Sequence, residues 1–248
     1  RTLNPNVQYR LLTNGVDLDT LAQYADNSIR RDLVFAGKLD VWANTMMVQK
    51  IVHEILPLIR ERVPDVRLHV VGGYPPRSIK KLQSESVILH ANVPDVRAYL
   101  REAAVFIHPH NGASGIQNKV LEAMSSGCAV VTTPTGIHGI PAWHQREVMI
   151  GNSTDELARH AAALLTDHVM RDTIAERAQQ LVNEQFAWET IYSQLDKCID
   201  EIYPPTRIQT PGYDVDNISE KEYKGLAGQI RHSALSLEKK TSYKRISK

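Results

Sequence analysis

Short apolar runs rich in Val and Ile alternate along this chain with stretches whose apolar residues recur at spacings of three and four. The runs Leu33 to Ala36, Leu68 to Val71, Val87 to Leu89, Val105 to His108, Ala129 to Thr132 and Val148 to Ile150 are continuous rather than alternating, the pattern of strands covered on both faces. Between them Asn44 reads as the cap of a helix that turns Met47, Val48, Ile51, Val52, Ile55 and Ile59 inward, with Pro57 bending its last turns. Later stripes comprise Leu157, Ala161, Leu164 and Leu165, then Ile174, Ala178 and Leu181, then Trp188, Ile191, Leu195, Ile199 and Ile202, and each is expected in the core. Six strands interleaved with helices predict an α/β fold, a doubly wound Rossmann-like parallel sheet.

Pro204, Pro205, Pro211 and Gly212 interrupt this pattern and predict a globular domain over residues 1–203. Residues 204–248 read as a linker and a basic helical tail. They hold 9 Lys and Arg against 5 Asp and Glu, and Ser219 with Glu222 is a capping pair ahead of Tyr223, Leu226, Ile230, Ala234 and Leu237. Over all 248 residues, 29 basic side chains against 28 acidic leave no field to attract nucleic acid, and 3 Phe and 3 Trp are few stacking platforms. No run approaches the roughly 20 apolar residues of a membrane span, so a cytoplasmic location is expected. Cys128 and Cys198 make no disulfide framework and are expected as small buried apolar residues.

In an open parallel sheet, ligands bind outside the carboxyl ends of the strands. Gly and Pro gather at those ends here: Gly37 and Lys38, Gly72 and Gly73, Asn92 to Pro94, Pro109 to Gly112, Pro134 to Gly139. The most informative stretch, Asn111 to Met124, follows the fourth strand. Ser114 with Gln117 is a capping box, which predicts a helix starting there. On such a helix Gly115, Lys119 and Glu122 share one face, while Ile116, Val120, Ala123 and Met124 turn to the core. Free backbone N–H groups favour an anion, Gly115 admits a ligand close to the backbone, and Glu122 can accept from sugar hydroxyls. This chemistry fits a phosphorylated sugar. His108 and His110 with Glu122 also have the residue types of a zinc site, but no pattern of supporting partners accompanies them, so no metal is expected.

LLTNGVD, a strand ending FAGKL, ILPLIRERVPDVRLHVVGG and SGIQNKVLEAMSSGCAVVTTPTG, in this order from Tyr9 to Tyr203, resemble the donor-binding, C-terminal half of a GT-B glycosyltransferase of family 4. The resemblance implies a retaining, hexosyltransferase-type enzyme that takes a nucleotide-diphosphate sugar between two Rossmann-like domains, without metal or other cofactor. It also implies an acceptor-binding half upstream of Arg1, which would bring a glycan or lipid-linked acceptor and any peripheral contact with the inner face of a membrane. The isolated half would then bind donor weakly and transfer little. Two departures from the family stand out. Members commonly carry two glutamates separated by seven residues; Glu122 matches the second, a ribose contact, but Ser114 occupies the place of the first. A phosphate clamp of arginine and lysine is matched by Lys38 alone, because Ala43 and Asn44 occupy the region of its second cation. A subgroup with a lysine three residues before the glutamate makes Lys119 a candidate substitute. By the resemblance Gly37, Lys38, Ser114, Gly115, Ile116, Gln117 and Lys119 would hold the donor's diphosphate and sugar, and backbone near Val93 and Pro94 its nucleobase. A non-catalytic nucleotide-sugar-binding or assembly module, and a nucleotide-sugar 2-epimerase, are the alternatives on the same architecture.

Overall fold

The computed structural model describes residues 9–18, 30–112 and 115–202. Six strands form one parallel sheet: β1 (Leu33–Ala36), β2 (Leu68–Gly72), β3 (Val87–Ala91), β4 (Val105–His108), β5 (Ala129–Thr132) and β6 (Met149–Ile150). Their spatial order is β3-β2-β1-β4-β5-β6. β1 pairs with β2 through Leu33 opposite Leu68, and with β4 through Val34 opposite Phe106. Successive strands are added to one side from β1 to β3 and to the other from β4 to β6, which makes the carboxyl ends of β1 and β4 the switch point where such sheets hold ligands.

The continuous apolar runs are explained by two cores, one on each face. Leu33 and Phe35 pack with Ile51, Ile55, Leu68, Ile107 and Leu157, whereas the intervening Val34 and Ala36 pack with Phe106, Val120, Met124, Ala178 and Val182. Alternate residues of one strand thus serve opposite layers, and both layers are apolar. The helices are α1 (Trp42–Lys50), a π-helical turn (Ile51–Ile55), α2 (Leu56–Arg60), α3 (Arg77–Lys80), α4 (Arg97–Glu102), α5 (Asn118–Ser125), α6 (Thr154–Thr166), α7 (His168–Gln185) and α8 (Trp188–Ile202). The widened turn directly precedes α2, whose second residue is Pro57; its missing N–H and its ring forbid a regular α bond to the preceding turn.

The predicted β1, β4 and β5 coincide with the observed strands, while β2 and β3 run on into Gly72 and Ala91 and β6 begins one residue late. Asn44 is not a cap: Val41 holds that position, and Asn44 lies inside the first turn. The helix expected at Ser114 starts at Asn118, with Gln117 as its N-cap and no side-chain capping bond. Of the α8 stripe, Ile191 is buried at 5% exposed, but Trp188, Leu195 and Ile199 are 38%, 39% and 47% exposed. An amphipathic period makes a stripe but does not supply the surface that covers it. Cys128 is buried and Cys198 only partly so. The tail and its capping pair lie outside the described residues.

Before β1, Val16 donates its N–H to the Phe186 carbonyl at 2.7 Å and bridges to Ala187. Gly15 lies flat on the Trp188 ring, where a Cβ would come within 2.5 Å of Cδ2. The NGVD segment is thereby fixed to the α7–α8 junction, beside α5.

Candidate functional site

At the carboxyl end of β1 the backbone turns sharply against its neighbour. Gly37 N–H donates to the Val71 carbonyl at 3.1 Å, and Leu39 N–H to the Gly73 carbonyl at 2.9 Å. The approach is so close that a Cβ on Gly72 would fall 1.8 Å from the Gly37 oxygen. Lys38 projects from this turn with its side chain 61% exposed, its ammonium 3.5 Å from the Asp40 carboxylate and 5.6 Å from the centre of the Tyr74 ring. Tyr74 and Asn92 both take positive φ, 56° and 55°, and Tyr74 N–H donates to Asn92 Oδ1 at 2.9 Å. Two non-glycine residues in the left-handed region mark a strained rim next to the cation.

Lys119 comes to the same place from α5. Its ammonium donates to Asn44 Oδ1, while Asn44 Nδ2 donates at 2.8 Å to the Lys38 carbonyl. The ammonium also lies 5.9 Å from the centre of the Phe35 ring. Burial lowers the Lys119 pKa, and the neighbouring Glu122 carboxylate pulls it part of the way back. Two lysines from separate elements are therefore linked through one amide. Gly115 precedes α5 with φ 134°, a conformation that favours glycine, and among the described residues nothing lies within 4 Å of where its Cβ would be. The backbone there is open to a ligand. Gln117 bonds back to the Gly115 carbonyl at 3.1 Å, which leaves the first turn of α5 without a side-chain cap. The Ile116 side chain packs into the core layer, so what it offers a ligand is its backbone. Ser114 is outside the described residues.

Glu122, one turn after Lys119, lines a cavity of about 400 Å³ together with Val16, Pro94, Val96, Arg97, Asn118 and Trp188. Burial raises its carboxyl pKa against the opposing pull of Arg97 and Lys119. Of the two residues expected near a nucleobase, Pro94 lines this cavity, whereas Val93 packs against the core. Arg97, which sequence reasoning passed over, bonds Asp95 at 3.0 Å and lies 3.8 Å from Asp17 of the NGVD segment. Its only local signal was a basic residue at the start of a helix. Asn44 was missed as a site residue too, because its partners Lys38 and Lys119 come together only on folding.

His108 is fully buried at the end of β4. Thr132 donates its hydroxyl to the His108 carbonyl at 2.8 Å and accepts from Nδ1 at 3.1 Å. Burial, with Lys119 and His110 nearby, pushes the His108 pKa well below the usual histidine value, so the ring is neutral. His108 and His110 stack at 5.3 Å between ring centres. Among the described residues no three His, Cys, Asp or Glu side chains are placed to hold a metal ion.

A switch-point crevice with a lysine ammonium bonded through Asn44 to the Lys38 turn, an open glycine and a carboxylate-bearing cavity fits a Rossmann-like domain of the GT-B architecture. Residues 30–167 match the family of glycosyl transferases group 1, and the chain belongs to that family. It is 24% identical over 186 residues to an uncharacterised glycosyltransferase, MJ1069, of Methanocaldococcus jannaschii, an alignment that covers 68% of this chain and 45% of that protein. Among solved structures it resembles Anabaena Alr3699/HepE in complex with UDP, with TM-score 0.58 and 18% identity over 69% of this chain and 49% of the other. It also resembles the sucrose-phosphate synthase of Thermosynechococcus elongatus, with TM-score 0.61 and 20% identity over 79% of this chain and 53% of the other. The chain thus spans about half the length of these relatives. Among the described residues, no helix is long and apolar enough to cross a membrane.

Proposed function

We propose that this chain is the donor-binding part of a family 4 type, retaining glycosyltransferase that moves a hexose from a nucleotide-diphosphate sugar to a glycan or lipid-linked acceptor. One observation carries the reading. Asn44 ties the Lys119 ammonium to the backbone of the turn that carries Lys38 at the switch point, and Glu122, one turn along α5, lines a cavity with Pro94. In this reading the cavity takes the nucleoside, with the Glu122 carboxylate accepting from the ribose hydroxyls and backbone at Pro94 meeting the base. The diphosphate lies across the two ammonium groups and the open Gly115 to Gln117 backbone.

Catalysis in such a site is positioning and electrostatics. Negative charge builds on the departing β-phosphate as the anomeric bond breaks, and fixed cations that act on that charge lower the barrier. No metal takes part in the proposed reaction; the lysines neutralise the diphosphate, and the leaving phosphate itself receives the proton of the incoming hydroxyl. UDP is bound in the solved relative from Anabaena, which makes it the first probe. Calorimetry of the chain with UDP, GDP, ADP and dTDP should show saturable binding of one or more, weakened by Lys38→Ala and by Lys119→Ala. Failure of all four to bind, or binding indifferent to both substitutions, refutes the reading.

A further inference from the structure

Asn44 is 6% exposed in the first turn of α1, and its amide faces two elements at once. Nδ2 donates at 2.8 Å to the carbonyl of Lys38, and Oδ1 accepts from the ammonium of Lys119 at 2.5 Å. This orientation is the one that chemistry allows. A flipped amide would set its NH₂ against an ammonium and its oxygen against a carbonyl. Gly37 makes the approach possible, since a Cβ there would press on Nδ2 at 3.1 Å.

The amide contributes a dipole but no net charge. A carboxylate at this place would hold Lys119 more strongly, yet it would compete with a bound phosphate for the ammonium and repel the phosphate itself. A lysine or arginine would face Lys119 as a like charge. A neutral acceptor restrains the ammonium and leaves its full charge for a ligand, and an ammonium has three donors, of which Asn44 takes one. Its restraint also lowers the ordering cost of a long flexible side chain when the ligand arrives.

We infer that Asn44 is a positioning residue for diphosphate binding, tying the Lys119 ammonium to the turn that carries Lys38 so that both cations act on the same ligand. This rests on the crevice being the donor site. Lys119 and Lys38 are then one unit, and the contribution of Asn44 passes through Lys119.

The test is a double-mutant cycle on the whole chain, read by calorimetry with UDP, GDP, ADP and dTDP. Asn44→Ala should weaken the Kd of whichever nucleotide binds by about tenfold, a change of about 1.4 kcal/mol. Lys119→Ala should weaken it at least as much, and the double variant no further than Lys119→Ala alone. Asn44→Asp, which is isosteric, should weaken binding as well because its charge competes with the phosphate. A side chain that merely supports the fold would instead add its effect to that of Lys119→Ala. Without ligand, the Lys119 ammonium, followed by the carbon shift of its Cε, should titrate at lower pH in Asn44→Ala than in wild type. Should Asn44→Ala lose its circular dichroism, Asn44→Ser, too short to reach both partners, takes its place in the cycle. Wild-type binding that Asn44→Ala leaves within twofold, or independent effects in the cycle, overturns the inference alone. A wild-type chain that binds none of the four nucleotides removes the donor-site reading and this inference with it.

Discussion

Asp32, at the entrance of β1, provides a stability test that can be worked through in numbers. It is 8% exposed, and its Oδ2 accepts from Arg67 Nε at 3.1 Å, from Arg67 Nη2 at 2.8 Å and from His69 Nε2 at 3.2 Å. The backbone N–H of Arg67 donates to Oδ1 at 3.1 Å. Burial alone would raise the carboxyl pKa, but the bonds from His69 and Arg67 outweigh it and hold the group at about 2, against an ordinary 3.8. At about 1.4 kcal/mol per unit, this difference corresponds to about 2 kcal/mol of stability at neutral pH. The Arg67 side chain is 47% exposed, so solvent screens its share and the figure is an upper value. The folded pKa is the lower one, so the contribution is complete above the unfolded value of 3.8 and is lost as pH falls through about 2. Urea denaturation of wild type and Asp32→Asn should therefore give a gap of about 1–2 kcal/mol at about pH 7 that falls to roughly a third of that by about pH 2.5 and vanishes only toward about pH 1. No gap at neutral pH, or a gap of the same size throughout, refutes the reasoning.

Gly72→Ala forces a Cβ to within 1.8 Å of the Gly37 oxygen, so the ends of β1 and β2 must part. Denaturation should register a loss on the order of 3 kcal/mol, and nucleoside diphosphate binding should weaken as the Lys38 turn moves. Glu122→Gln should weaken UDP by about tenfold, the value of one charge-assisted hydrogen bond, and leave inorganic pyrophosphate unchanged. Equal losses for both probes would take Glu122 away from the ribose. Burial pushes the Cys128 thiol up to about 12, so iodoacetamide at about pH 8 should label the partly exposed Cys198 and leave Cys128 unmodified until the chain is unfolded. Mass spectrometry that finds rapid native-state labelling of Cys128 would contradict its burial.

The local order of residues was enough to read β1, β4 and β5 to the residue, because a strand covered on both faces leaves an uninterrupted apolar run between breakers. It was also enough to bring Gly37, Lys38, Lys119 and Glu122 into consideration, since glycine-marked strand ends and helix periodicity are short-range signals. Two short-range signals misled. The Ser114–Gln117 pair has the spacing of a capping box, yet Gln117 bonds the Gly115 carbonyl and the helix waits until Asn118. Asn44 has the chemistry of a cap, yet its amide is drawn to Lys38 and Lys119.

The strand order, with its reversal between β1 and β4, came from packing and not from any period in the chain. Arg67 is 35 residues from Asp32 and Lys119 is 75 from Asn44, so neither pair has a recurrent spacing to betray it. A hydrophobic period reports which face of an element is apolar, whereas a polar bridge between elements depends on how those faces are finally stacked. That is why the kind of fold, and the strand ends that carry the chemistry, can be read from residue order alone. The amide that ties the Lys119 ammonium to the Lys38 turn exists only once α1 and α5 are packed on the same sheet.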